Sequence, residues 1–111
     1  MGESKIYDTS MIIELVKNRV VRRVPYVSII TVIEYPPALE YAETVLYPTR
    51  LEYLIAVKWQ SELRVQGIPL PATDLIIAAQ AVNRNLVLVT RDKHFKILKE
   101  AVARDLELEI V

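Results

Sequence analysis

The chain has 111 residues, of which 52% are hydrophobic and 25% charged, and its 14 basic side chains balance its 14 acidic ones. This length and composition predict one globular domain spanning residues 1–111, and the absence of cysteine excludes disulfides and thiolate metal sites. No apolar run approaches the roughly 20 residues that a membrane span needs, and the amino terminus lacks the apolar core of a secretory signal, so we expect a cytoplasmic protein without a membrane partner.

The first third of the chain predicts a strand, a helix and then a segment of mixed character. Residues 6–7 favour a strand, and residues 8–10, Asp-Thr-Ser, provide a turn whose side chains can cap a helix. Apolar residues between positions 12 and 20 then recur at helical spacing. Residues 24–30 are rich in β-branched side chains and suit a strand, but from Ser28 onward a helix suits equally well. We expect that second helix to begin near Ser28.

The middle of the chain predicts helices separated by prolines. Pro36-Pro37 should end or kink the second helix, because proline lacks an amide donor and disfavours helical geometry in the residue before it. Residues 37–45 and 49–65 carry apolar side chains three and four positions apart, which predicts two amphipathic helices. After a break containing glycine and proline, residues 73–83 predict a compact apolar helix that begins with a threonine cap.

The last third returns to strands. Residues 86–90, Leu-Val-Leu-Val-Thr, form a continuous apolar run, which is typical of a central parallel strand covered on both faces. Residues 95–103 predict a helix and residues 106–111 a short final strand. Strands that alternate with helices pair in parallel through right-handed crossovers, so the sequence predicts a three-layer α/β/α sandwich with a central parallel sheet.

Four acidic residues occupy positions where chemistry is expected in such a sheet. Asp8 and Asp92 follow strands, and the carboxyl ends of parallel strands are where functional groups collect. Asp74 opens a helix and shares a face with apolar residues three, four and seven positions further on, so its carboxylate should point toward the sheet edge. Glu34 lies in an otherwise apolar stretch and could also point inward. We therefore expect these four acids to gather at one crevice.

A group of four carboxylates predicts a divalent metal site. Acids that converge without a cation repel one another, and carboxylate oxygens suit Mg²⁺ or Mn²⁺. Two such ions about 4 Å apart can activate water against a phosphodiester and stabilise the leaving oxygen, which would explain a site without a catalytic histidine or cysteine.

Each acid taken alone has a simpler interpretation, which the sequence leaves open. Asp8 could only cap a helix, Asp74 could only favour a helix dipole, Asp92 could be a turn residue, and Glu34 could lie on the surface. The neighbouring hydroxyl residues could support the acids or only stabilise turns, and the one histidine could contact phosphate or only face solvent. These side chains are Thr9, Ser10, Thr90 and His94.

Two basic clusters are the candidate surfaces for nucleic acid. Because the net charge is zero, any such binding would depend on local patches, although charge runs of this size usually mark a solvated face. The first cluster contains Lys17, Arg19, Arg22 and Arg23, and the second contains Arg91, Lys93, Lys96 and Lys99.

The order and context of the four acids resemble the PIN-domain family, best known from the toxins of VapBC-type toxin–antitoxin pairs. An apolar strand leads into Asp8-Thr-Ser, and a Ser-x-x-Thr-x-x-Glu pattern ends at Glu34. Asp74 begins an Asp-Leu-Ile-Ile-Ala-Ala segment, and an apolar strand ends in a Thr-x-Asp-x-x-Phe pattern that contains Asp92. All four motifs occur in the family's order and span nearly the whole chain.

The resemblance implies an endoribonuclease that uses Mg²⁺ or Mn²⁺ and cleaves structured RNA such as tRNA or rRNA. It also implies metal ligation by Asp8, Glu34, Asp74 and Asp92, a homodimer, and a protein antitoxin that blocks the groove. His94 stands where many relatives carry another acid, and Pro36-Pro37 interrupts a helix that usually continues, so the chain departs from the family pattern there.

Two other classes of function stay open from the sequence. The first is a non-catalytic module that keeps the fold and binds RNA or protein with an impaired metal site. The second is a small-molecule enzyme on a nucleotide-binding fold, which is disfavoured because no glycine-rich phosphate loop follows the first strand.

Overall fold

A computed structural model describes residues 4–20 and 22–111. Its five strands are β1 (Lys5–Tyr7), β2 (Val24–Ser28), β3 (Ala42–Leu46), β4 (Val87–Thr90) and β5 (Glu107–Ile110). Its six helices are α1 (Thr9–Lys17), α2 (Ile29–Glu34), α3 (Ala38–Tyr41), α4 (Arg50–Val65), α5 (Ala72–Asn83) and α6 (His94–Ala101). The amino-terminal residues 1–3, on which the expectation about a secretory signal partly rested, lie outside the described part of the chain.

The strands form one parallel sheet in the order β3-β2-β1-β4-β5. The apolar strand β4 lies beside β1, with Ile6 opposite Leu88. All four residues of β4 are buried, as the continuous apolar run predicts for a strand covered on both faces. The predicted parallel α/β sandwich is therefore confirmed.

Alternating side chains of the central strands supply two separate apolar cores. Ile6 and Leu88 point to the face covered by α4, α5 and α6, where Phe95 is buried among them. Tyr7 and Val89, one position further along, point to the face covered by α1 and α3. This period-two alternation produces the three layers, with the sheet in the middle.

The predicted helix over residues 37–45 is wrong in its second half. Only α3, the four residues Ala38–Tyr41, is helical there, and the chain then continues as edge strand β3. Thr44 and Val45 are β-branched, and β3 pairs in parallel with β2, so backbone hydrogen bonds to the sheet stabilise an extended conformation. Over a segment this short, apolar residues three and four positions apart do not distinguish helical from strand periodicity.

Two helix ends also differ from the prediction. α1 ends at Lys17, and Arg19 adopts a positive φ of 52°, so Val20 lies beyond the helix and donates its amide back to the Leu15 carbonyl at 3.0 Å. α5 begins at Ala72 after Pro71, and Thr73 lies inside its first turn rather than capping it. The second helix does begin at the predicted place, because the Ser28 hydroxyl accepts the Ile30 amide at 3.1 Å.

Within residues 4–20 and 22–111, no helix is both long enough and apolar enough to span a bilayer.

Candidate active site

The candidate site lies at the carboxyl ends of the two central strands. From β1 the chain passes outward to β2 and β3, and from β4 it passes in the opposite direction to β5. The ends of β1 and β4 therefore border the crevice that a reversal of strand order creates, which is the usual ligand site of an open parallel sheet. Asp8 follows β1 directly, and Asp92 lies two residues after β4.

Asp8 is held by one hydroxyl from the first turn of α1 and another from the end of β4. It is 5% exposed, and its Oδ1 accepts the Ser10 hydroxyl at 2.7 Å and the Met11 amide at 3.2 Å, while its Oδ2 accepts the Thr90 hydroxyl at 2.8 Å. Burial raises the pKa of Asp8, and these hydrogen bonds oppose that rise only in part. The Met11 contact caps α1, so Asp8 both starts the helix and presents a carboxyl group at the crevice.

Asp92 is oriented by the turn that it forms. Its Oδ1 accepts the His94 amide at 2.8 Å and lies 3.0 Å from the His94 ring Nδ1, and its own amide donates to the Thr90 hydroxyl at 2.9 Å. Thr90 thus joins Asp8 to Asp92 through a single buried hydroxyl. The turn role that the sequence left open for Asp92 is present, and His94 is an exposed residue paired with it.

Glu34 is connected to the same region through Thr9. It is the last residue of α2 and is exposed, and its Oε1 accepts the Thr9 hydroxyl at 2.8 Å. The Thr9 hydroxyl also lies 3.1 Å from the hydroxyl of Thr31, which is completely buried. Because Thr9 is adjacent to Asp8, this contact places Glu34 at the rim of the crevice rather than in the apolar interior.

Asp74 shows that the four acids share one electrostatic environment. It lies in the first turn of α5 and is partly buried. Burial, followed by the negative charges of Asp92, Asp8 and Glu34, raises the pKa of Asp74 to about 6, and His94 opposes this rise. The structure therefore brings the four predicted acids close enough for their charges to act on Asp74.

The donor set suits a hard divalent cation, although the ligands are not assembled as a closed cage. In residues 4–20 and 22–111, no three histidine, aspartate or glutamate side chains are close enough together to hold one ion. The available donors are carboxylate oxygens, which Mg²⁺ and Mn²⁺ prefer, and a cation between them would relieve the repulsion felt by Asp74. Mg²⁺ usually keeps several water ligands and needs only one or two carboxylates, so an open arrangement of this kind fits it.

Arg91 lies beside the site, and the sequence had left its basic cluster open as either a nucleic-acid surface or a solvated face. Its amide donates to the Ser10 hydroxyl at 3.1 Å, and its guanidinium Nη1 lies 3.2 Å from Glu14 Oε1 on α1. Besides its membership of that basic cluster, its position between Thr90 and Asp92 was a sequence signal, because a residue between two site residues lies close to the site.

Comparison with known proteins gives a consistent result. The PIN domain family model matches residues 5–101. A chain of the VapBC-1 structure from nontypeable Haemophilus influenzae is 27% identical, with a TM-score of 0.74 and 96% of each chain covered. A chain of DNA-bound VapBC from Salmonella typhimurium is 21% identical, with a TM-score of 0.76 and 98% of each chain covered.

A third solved structure agrees with these two. VapBC-5 from Mycobacterium tuberculosis, described as a member of a family of toxin–antitoxin systems, contains a chain that is 22% identical, with a TM-score of 0.73 over 99% of this chain and 100% of that one. The chain has no significant match among curated proteins. Because the family model covers most of the sequence and the parallel fold agrees, this chain belongs to the PIN domain family.

Proposed function

We propose that the chain is a metal-dependent endoribonuclease of the VapC type, which hydrolyses RNA phosphodiesters. The observation that carries the proposal is the geometry at the crevice between β1 and β4, where the Thr90 hydroxyl joins Asp8 to Asp92. The Thr9 hydroxyl holds Glu34 at the rim of the same crevice. Burial, followed by the charges of the three other acids, raises the pKa of Asp74 to about 6, which agrees with this arrangement. Membership of the PIN domain family, whose members are generally nucleases, supports the same assignment.

Asp8, Glu34, Asp74 and Asp92 would hold Mg²⁺ or Mn²⁺ in this proposal. The bound cation supplies activation of water and stabilisation of the leaving oxygen. The protein contributes orientation, because hydroxyl groups hold the Asp8 and Glu34 carboxylates and the His94 amide holds that of Asp92. The supporting hydroxyls belong to Thr9, Ser10 and Thr90.

The partners follow from the same assignment. The three solved structures compared above are of VapBC, and VapBC-5 is described as a member of a family of toxin–antitoxin systems, so we propose a protein antitoxin as a partner of this chain. The substrate proposed is a structured RNA such as tRNA or rRNA, encountered in the cytoplasm, and the working form proposed is a homodimer.

The test is cleavage by the purified chain, free of any partner, with total RNA and transfer RNA in Mn²⁺ or Mg²⁺. Discrete fragments are expected, and they should disappear with a chelator and with Asp74→Asn. Asp105→Asn is the matched control, because Asp105 is an exposed acid that precedes β5 and so lies near the amino ends of the strands, whereas the site is at the carboxyl ends; its change should leave cleavage intact. Cleavage that persists in pure Asp74→Asn would contradict the site assignment.

A non-catalytic RNA- or protein-binding module is the second candidate function. It is favoured by the pairing of Asp92 with His94 and by the absence, in the described residues, of a preassembled three-ligand metal cage. A binding module should bind RNA with the same affinity after Asp74→Asn and in the presence of chelator, and it should produce no RNA fragments. The two candidates therefore give opposite results in the same experiment.

A further inference from the structure

The backbone of Arg91 is fixed to the acidic crevice. Its amide donates to the Ser10 hydroxyl at 3.1 Å, and that hydroxyl donates in turn to Asp8 Oδ1 at 2.7 Å. Thr90 on one side and Asp92 on the other are held by their own hydrogen bonds. The Arg91 side chain therefore starts from a well-defined point beside the candidate metal ligands.

The guanidinium of Arg91 is paired with Glu14, which another anionic group could replace. Its Nη1 lies 3.2 Å from Glu14 Oε1, and the two side chains are 47% and 30% exposed. The same Glu14 oxygen accepts the Asn18 side-chain amide at 2.9 Å, so Glu14 is oriented without Arg91. Ion pairs this exposed contribute little to stability, because water and dissolved salt screen the two charges.

An acidic crevice that acts on RNA needs a positive charge at its border. Four carboxylates repel the phosphates of an approaching strand, and a guanidinium can donate two parallel hydrogen bonds to one phosphate. Arg91 lies where such a charge would be needed, with its side chain directed along α1 toward Glu14. A backbone phosphate can compete with the Glu14 carboxylate for the guanidinium, because both are anionic groups whose oxygens accept hydrogen bonds.

We propose that Arg91 binds a backbone phosphate of the RNA on the α1 side of the acidic cluster, and that Glu14 competes with this phosphate for the guanidinium. The inference rests on the proposed ribonuclease function and adds to it a substrate-binding residue and an internal competitor. Glu14 lowers RNA affinity in the resting protein by occupying the group that the substrate requires.

The test is a double-mutant cycle on RNA binding, measured by fluorescence anisotropy. The probe is a short fluorescein-labelled single-stranded RNA in Mn²⁺, and every protein carries Asp74→Asn so that the RNA stays intact. Arg91→Gln should weaken binding about tenfold, as expected for a charge-assisted hydrogen bond, and should reduce the slope of log affinity against log salt by about 0.7. Glu14→Gln should strengthen binding by up to about fivefold, and this gain should vanish when Arg91→Gln is also present.

Arg104→Gln is the matched control, because Arg104 is an exposed arginine that precedes β5 and so lies near the amino ends of the strands, away from the site; its loss should change neither affinity nor salt slope. An Arg91→Gln variant that binds the RNA as tightly as its parent would overturn the proposal. An equal gain in affinity from Glu14→Gln with and without Arg91→Gln would also overturn it, as would a parent that does not bind the RNA. Failure of the ribonuclease proposal would be seen separately, as an unsubstituted chain that does not cleave transfer RNA.

Discussion

Replacing Asp74 by asparagine should make the metal-free protein more stable while removing its proposed activity. In the folded chain the pKa of Asp74 is raised from 3.8 to about 6, chiefly by burial and then by the charges of Asp92, Asp8 and Glu34. The ionised carboxylate is therefore disfavoured by folding. Asparagine has nearly the same shape and carries no charge, so it removes this cost.

The size of the expected stability gain follows from the pKa shift of Asp74. A rise from 3.8 to about 6 corresponds to about 3 kcal/mol at neutral pH, at about 1.4 kcal/mol per pKa unit. Asp74 is only partly buried, so solvent screening reduces this figure. The loss of a negative charge from the first turn of α5 costs a further 0.3–1 kcal/mol, roughly. We expect a net gain of about 1–2 kcal/mol, or about 5 °C or more in Tm.

The pH dependence of the stability gain distinguishes the loss of the Asp74 charge from a change in packing as its cause. Between pH of about 4 and 6 the folded state retains a proton on Asp74 that the unfolded state has lost, so the parent loses stability as pH rises through this window. The advantage of Asp74→Asn should therefore be complete above pH of about 6 and absent below about 4.

Urea unfolding in chelator at several pH values measures this difference. Asp105→Asn, at an exposed position near the amino ends of the strands, should change stability by less than about 0.5 kcal/mol at any pH. Mn²⁺ should stabilise the parent more than Asp74→Asn, because a ligand that binds only the folded state raises its stability. A variant that is no more stable than the parent at neutral pH, or whose gain is the same at every pH, would refute the reasoning.

Two further substitutions test other contacts. Thr90→Val keeps the side-chain shape but removes the hydroxyl between Asp8 and the Asp92 amide. It should lower the free energy of unfolding in urea by about 1–3 kcal/mol and weaken Mn²⁺ binding measured by calorimetry. Unchanged Mn²⁺ affinity would count against a supporting role for Thr90. Arg84→Leu removes the bidentate partner of the completely buried Glu52 and should cost about 3–5 kcal/mol. Burial acts to raise the pKa of Glu52, but hydrogen bonds from Arg84 and other donors lower it to about 2, so the stability that this pair adds should be present above pH of about 4.5 and lost as pH falls toward 2. A parent and an Arg84→Leu variant that lose stability in parallel over this range would contradict the assignment.

The errors in the sequence interpretation occur where local pattern and tertiary pairing disagree. Residues 37–45 have apolar spacing compatible with a helix, yet residues from Ala42 onward join the sheet because the edge of β2 offers backbone partners. Thr73 is a residue type that often caps helices, but Pro71 occupies the cap position of α5 two residues earlier. In both cases a partner distant in sequence, or a neighbouring proline, decided between two locally acceptable conformations.

The fold class, and the placement of Asp8 and Asp92 at the carboxyl ends of strands, could be predicted from the residues alone. A fully apolar strand such as β4 requires cover on both faces, and alternation of strands and helices leads to parallel pairing, so these features depend on local composition. Asp8 and Asp92 follow strands, and parallel strands place their carboxyl ends at one edge whatever the details of packing.

Only the tertiary structure decided how the acids are held and which groups surround them. The hydroxyl of Thr90 meets Asp8 across 82 positions of sequence, and Arg91 meets Glu14 on a different element. Such contacts depend on strand order, register and helix orientation, which no local pattern encodes. The raised pKa of Asp74 arises in the same way, because burial and the charges of three acids distant in sequence act together only after the chain has folded.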